Sequence, residues 1–115
     1  MSAISQLHKI GFYQFDNLVQ GRIPFLFINM GEDISNWYDS VYRTHLKNYQ
    51  ILTTLDQAEN LIEERQAPKD FPIVVLCQNG KQSENFAGYL IKNGYTNVYQ
   101  VDGGIQQMMT DKASL

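Results

Sequence analysis

Phe71-Pro-Ile-Val-Val-Leu-Cys77-Gln-Asn-Gly-Lys-Gln-Ser83-Glu-Asn-Phe86-Ala87-Gly-Tyr-Leu90-Ile91-Lys-Asn-Gly94 carries the clearest pattern in the chain. Its opening, Phe71 to Cys77, is an uninterrupted apolar run of the kind found in a strand buried on both faces, with Pro72 tolerated at the strand start. Such strands belong to parallel sheets. From Ser83 the apolar residues Phe86, Ala87, Leu90 and Ile91 recur with helical period, and Gly94 comes next, where a left-handed C-terminal cap is wanted. Asn79-Gly80 alone would suggest a hairpin turn, but a hairpin needs a second strand, and the residues after Ser83 have helical period instead. Strand, loop, amphipathic helix is therefore the unit to build from.

Downstream, Val98-Tyr-Gln-Val101 reads as another short strand, and Gly103-Gly104 breaks the chain before a last helical stretch from Ile105 through Met109. Upstream, Ile10-Gly-Phe-Tyr13 and Pro24-Phe-Leu-Phe-Ile-Asn29 are aromatic and β-branched runs that predict strands, separated by one or two helical turns over Asp16 to Gly21. Residues 30–48 are less patterned. Met30 to Asp33 predicts a loop, and Ser35 could cap a helix carrying Trp37, Tyr38, Val41 and Tyr42. Tyr49-Gln-Ile-Leu52 suits a further strand. Thr54-Leu-Asp-Gln57 fits a capping box ahead of a helix with Leu55, Ala58, Leu61 and Ile62 on one face, ending near Gln66. Strands alternating with helices imply an α/β fold: a mostly parallel central sheet with helices on both faces and right-handed crossovers.

The whole chain, residues 1–115, is short enough to be one domain, and with 43% hydrophobic residues it has the apolar side chains for a core. Nine Lys plus Arg against twelve Asp plus Glu leave a charge of −3 without a basic stripe, so nucleic acid is not an expected partner. The first ten residues lack the apolar run of an export signal, and Ile73 to Cys77 is far too short to cross a bilayer. No membrane partner is expected, and the reading is of a cytoplasmic protein. One cysteine allows neither an internal disulfide nor a cysteine-based zinc cluster, while His8 and His45 have no ligand spacing; no metal or cofactor is expected. Cys77 is then either an inert small hydrophobe or a chemically used thiol.

Its place favours use. The carboxyl end of a parallel strand is where open α/β sheets hold their ligands, which puts Cys77 at a site mouth reachable by solvent. The loop after it, Gln78, Asn79, Gly80, Lys81, Gln82 and Ser83, contains no proline, so its N–H groups can turn inward as an anion-binding nest beside the positive end of a helix. The same field favours thiolate over thiol. Gly80 supplies the positive φ that a tight loop requires, and Lys81 adds a mobile positive charge at the rim. The plainer readings are that Lys81 is a solvated lysine and that Ser83 is the N-cap of its helix.

Cys77-Gln-Asn-Gly-Lys-Gln-Ser83 resembles the active-site loop C-x-x-G-x-x-S of the rhodanese-like family, and the match runs on through Ala87, Leu90, Gly94-Tyr95, Asn97-Val98-Tyr99 and Gly103-Gly104. Asn29-Met-Gly31 stands where the family carries Asp-x-Arg, so both charged positions differ, and His45-Leu46 falls near its Gly-His-Ile segment. The resemblance implies a small α/β domain whose cysteine, here Cys77, accepts a sulfane sulfur from a small anionic donor such as thiosulfate. It holds the sulfur as a persulfide and passes it to cyanide or a thiol, including a thiol protein. Loop residues 78–83 would bind the donor. The alternative is a rhodanese-like binding or regulatory module with a quiet cysteine. Phosphatases and arsenate reductases of related architecture need C-x-x-x-x-x-R, and the sixth residue after Cys77 is Ser83, without the guanidinium that holds phosphate.

Overall fold

The computed structural model describes residues 7–21, 24–38 and 40–113, and of residues 7, 40 and 45 the backbone alone. The N-terminal stretch that bears on an export signal lies mostly outside the described residues, as does the side chain of His45. In chain order the elements are β1 (Leu7–Ile10), α1 (Phe12–Gln20), β2 (Leu26–Asn29), a 3₁₀ turn (Ser35–Trp37), α2 (Ser40–Tyr49), β3 (Gln50–Leu52), α3 (Leu55–Arg65), β4 (Ile73–Leu76), α4 (Lys81–Lys92), β5 (Val98–Val101) and α5 (Gly104–Ala113).

The five strands form one sheet in the order β1-β5-β4-β2-β3, and every pairing is parallel. β4 is central, and all four of its residues are buried. Period-two alternation sends Val74 and Leu76 to one face and Ile73 and Val75 to the other. On the first face they join Phe12, Phe15 and Val19 of α1, Leu46 of α2, and Ile105 and Met108 of α5, with Phe25 and Phe27 packed edge-on to one another. On the second they meet Ala58 and Ile62 of α3 and Phe86, Ala87, Leu90 and Ile91 of α4. Helices thus cover both faces, as an apolar central strand demands.

Several boundaries differ from the sequence reading. The aromatic run after Ile10 is helix: Phe12, Phe15 and Val19 are buried at helical spacing, and burying that stripe outweighs the strand propensity of Phe12 and Tyr13. A helix capped by Ser35 does not form. Ser35 opens only a 3₁₀ turn, Tyr38 is extended (φ −121°, ψ 160°), and α2 starts afresh at Ser40. Thr54 precedes α3 but its side chain makes no capping hydrogen bond; the Gln57 N–H turns to the Thr54 carbonyl (3.2 Å), and this exposed end needs no side-chain cap. α5 is longer than expected, running on to Ala113. α4 closes as its sequence predicts, with Tyr95 N–H on the Leu90 carbonyl and Gly94 N–H on that of Ile91, both 3.1 Å.

After β2 the chain crosses outward to β3, and after β4 it crosses the other way to β5, although β2 and β4 are hydrogen-bonded neighbours. The crevice at their carboxyl ends is the topological switch point of the sheet, the place where α/β folds put ligands.

Candidate active site

Cys77 leaves β4 at that switch point. A pocket of about 370 Å³ opens there, lined by Met30 from the turn after β2 and by Cys77, Gln78, Asn79, Lys81 and Gln82. Gly80 and Ser83, the other two loop residues expected at the site, lie beneath it, buried against the sulfur. Cys77 is less open than its position implied. It is 1% exposed, on the pocket floor, because its own loop folds over it.

That fold is local. Gly80 takes φ +93°, a left-handed turn that reverses the chain into α4. The helix begins at Lys81, two residues before the predicted start, so Ser83 is not its N-cap. The cap acceptor is Cys77 Sγ itself, which receives the N–H groups of Gly80 (3.1 Å) and Ser83 (3.3 Å), the latter on the third residue of the helix. Lys81 N–H turns instead to Asn79 Oδ1 (3.0 Å), so the nest is partial. Cys77 Sγ also donates to Ser83 Oγ at 3.4 Å, and that hydroxyl donates to the Gly80 carbonyl at 3.1 Å.

Burial alone pushes the Cys77 thiol up. The Ser83 hydroxyl, then the backbone N–H groups of Ser83, Gly80 and Asn79, pull the other way and win, leaving the thiol below its ordinary value. Direction and cause agree with the helix-terminus argument, and the serine hydroxyl adds a contribution that the sequence reading had given only to backbone.

The loop is braced from outside. At the start of α5, Ile105 N–H donates to the Cys77 carbonyl (2.9 Å) and Gln106 N–H to that of Gln78 (3.0 Å). Gly104 lies so close beneath that a Cβ there would press on the Cys77 carbonyl and, at 2.7 Å, on Gly80 N. From β5, the buried Gln100 donates through Nε2 to the Gly80 carbonyl (3.0 Å) and to Ser83 Oγ (3.3 Å). Sequence reasoning missed Met30 and Gln100. Gln100 had left a signal: alternation along β5 puts it on the same face as buried Val98, and a polar side chain at a core-facing position must find partners there.

Asn29 and Gly31 organise the other wall. Asn29 is buried. Its Nδ2 donates to the Glu32 carbonyl (2.8 Å) and Gln50 Oε1 (2.9 Å), and its Oδ1 accepts Gly31 N–H (2.9 Å). Gln50 Nε2 in turn reaches Asp33 Oδ1 (2.7 Å), and this bond, with the N–H of Ser35, holds that carboxyl below its usual range. A Cβ on Gly31 would meet Ile105 Cδ1 at 2.5 Å and the Cys77–Gln78 peptide at 3.3 Å. Any side chain at 31 therefore requires Ile105 Cδ1 to shift and presses on that peptide. His8, on β1, stacks on Tyr99 far along the sheet from β2 and does not join the site.

The rhodanese-like domain family model matches residues 28–111. This chain belongs to that family. Among curated relatives, thiosulfate sulfurtransferase GlpE of Pseudomonas syringae pv. syringae (strain B728a) is 36% identical over 66 residues, 57% of this chain and 54% of the relative. The chain spans about half the length of the curated relatives it matches. Among solved structures, that of reduced CoADR-RHD from Bacillus anthracis superposes with TM-score 0.66 at 23% identity, covering 96% of this chain and 18% of that one. A rhodanese-like domain protein from Staphylococcus aureus gives 0.62 at 17% identity, covering 88% and 90%. At these identities the structures speak for the fold. No helix among the described residues is long and apolar enough to cross a membrane.

Proposed function

We propose that residues 1–115 act as one rhodanese-like sulfurtransferase unit that carries sulfane sulfur on Cys77. The observation that carries this reading is the sulfur's double role as residue and helix cap: Cys77 Sγ accepts two backbone N–H groups and faces the Ser83 hydroxyl, an arrangement that favours an anion on sulfur. The name of the GlpE relatives, thiosulfate sulfurtransferase, supports the same chemistry.

In the first step the Cys77 thiolate attacks the outer sulfur of thiosulfate. A new S–S bond forms at Cys77, and the old one breaks with its electron pair leaving on sulfite. The persulfide anion then rests over the loop, where the N–H groups of Gln78 and Gln82, which make no hydrogen bond to the described residues, and Lys81 are the available positive poles. In the second step cyanide or a thiolate attacks the outer persulfide sulfur, leaving as thiocyanate or a new persulfide, and the bond electrons return to Cys77 as thiolate. Charge and electrons balance in both steps with no further reactant.

Intact mass spectrometry after thiosulfate treatment tests this. The expected result is a gain of one sulfur atom on Cys77, removed by cyanide. A protein that binds thiosulfate and takes up no sulfur would be a binding module.

A further inference from the structure

The Gly80 carbonyl is over-subscribed. It accepts Glu84 N–H at 3.1 Å, the Ser83 hydroxyl at 3.1 Å and Gln100 Nε2 at 3.0 Å, three donors for two lone pairs. The amide orientation of Gln100 is fixed, because an oxygen in place of Nε2 would face that carbonyl acceptor to acceptor. Nε2 donates toward both Gly80 O and Ser83 Oγ. Gln100 Oε1 is buried with no partner among the described residues.

Proton loss from the thiol changes what Ser83 must do. While the thiol is protonated, S–H donates to Ser83 Oγ, and the hydroxyl hydrogen points to Gly80 O. Once the proton has gone to solvent, that hydroxyl hydrogen has to turn to the sulfur. We propose that Gln100 is a positioning residue for Cys77: its amide holds the Gly80 carbonyl and the Ser83 oxygen together, so that the Ser83 hydroxyl can swing from that carbonyl to the thiolate and leave neither group unpaired. After the swing Gly80 O keeps Glu84 N–H and Gln100, and Ser83 Oγ accepts from Gln100 while donating to sulfur. Without Gln100 the carbonyl would hold the hydroxyl back.

The groups around the sulfur leave this network to set its charge. Met30, Ser83, Gln100 and Ile105, from the four elements or turns that close on it, do not titrate in this range; Lys81 lines the pocket wall, and Glu84 is exposed at the first turn of α4.

The proposal rests on Cys77 being the sulfur carrier only for its purpose, and its test is independent of transfer. The chain has one cysteine, so alkylation by iodoacetamide with an intact-mass readout reports on Cys77 alone. Gln100→Met keeps the length and removes both the donor and the buried oxygen, so the fold should hold; the shorter Gln100→Leu serves if Met overpacks. At pH 7 alkylation should slow roughly three- to tenfold, with the rate at high pH unchanged, as expected for loss of a hydrogen bond favouring the anion. In a Ser83→Ala background the same substitution should change nothing, since the hydroxyl it positions is gone. An unchanged pH profile in both folded variants, or an equal slowing with and without Ser83, overturns the proposal. Failure to form a persulfide would instead count against sulfur transfer and leave these rates standing.

Discussion

The two walls of the pocket are held by different kinds of contact. On the β4–α4 side the sulfur's partners, Gly80 and Ser83, lie within six residues of Cys77, and two of the three bonds use backbone N–H groups. On the β2 side the Asn29 side chain holds two local backbone groups, of Gly31 and Glu32, but is tied into the wall through the side chain of Gln50, 21 residues from Asn29 and 17 from Asp33. Local backbone geometry is dictated by spacing and glycine placement, whereas a side-chain network between distant segments needs the fold before it can be seen. This is why Cys77 to Ser83 was readable as a candidate site from sequence, while Asn29-Met-Gly31 was readable only as a departure from the family pattern.

The largest expected effect tests the local wall. Cys77→Ser should reduce transfer from thiosulfate to cyanide by at least about three orders of magnitude, since the hydroxyl at neutral pH is a poor nucleophile and cannot form a persulfide. The serine oxygen can still accept the Gly80 and Ser83 N–H groups, so stability should stay within about 1 kcal/mol of the parent in denaturant melts. A variant that unfolds would make Cys77 a core residue first, and its near-complete burial gives that outcome a route.

Gly31→Arg tests the distant wall. If β2 merely lost an arginine, restoring it should help. The geometry says the reverse, because even the Cβ of the new side chain requires Ile105 Cδ1 to move and presses on the Cys77–Gln78 peptide. Overpacking of this kind costs about 1–3 kcal/mol, and shifting the sulfur by a fraction of an ångström should lower kcat/KM roughly tenfold or more. A rise in activity at unchanged melting temperature would show that the two walls are as independent as two separate loops.

Even the readable half had limits, and they fall on the same line. Strands β4 and β5 and the cap at Gly94 are legible from apolar runs and one glycine, yet Gln100 escaped because its partners are 17 and 20 residues away. In the N-terminal half, Phe12 and Tyr13 have strand propensity, and only the sheet that receives Phe12, Phe15 and Val19 makes them helix. Ser83 was expected as a cap because serines often are; the chain has a sulfur there instead.

A smaller effect concerns pH. Hydrogen bonds to the Cys77 sulfur outweigh its burial, so the folded thiol ionises below its ordinary value. Alkylation by iodoacetamide should therefore reach its plateau at lower pH in the folded protein than in the urea-unfolded chain. Stability acquires a matching pH slope: between the two ionisations the unfolded state binds more protons, so stability rises with pH there, is fully gained above the unfolded value, and is lost as pH falls through the folded one. A folded profile at or above the unfolded one would mean that the cap bonds to sulfur are too weak to offset burial.

The smallest effect belongs to Lys81, the charged residue on the pocket wall and an exposed one. Its backbone belongs to the local wall, but its side chain makes no hydrogen bond or ion pair among the described residues, and its charge meets solvent on most sides. It should attract thiosulfate and the transition state almost equally. Lys81→Ala is therefore expected to raise KM roughly two- to fivefold with kcat nearly unchanged, the scale of an exposed charge contact. Because screening acts on such a contact directly, the difference between parent and variant should shrink as salt is raised from about 0.01 to 1 M, where the Debye length falls from about 30 to 3 Å. A loss confined to kcat and indifferent to salt would place the ammonium against the transferring sulfur, inside the wall, and would make a side chain part of what the backbone otherwise does alone.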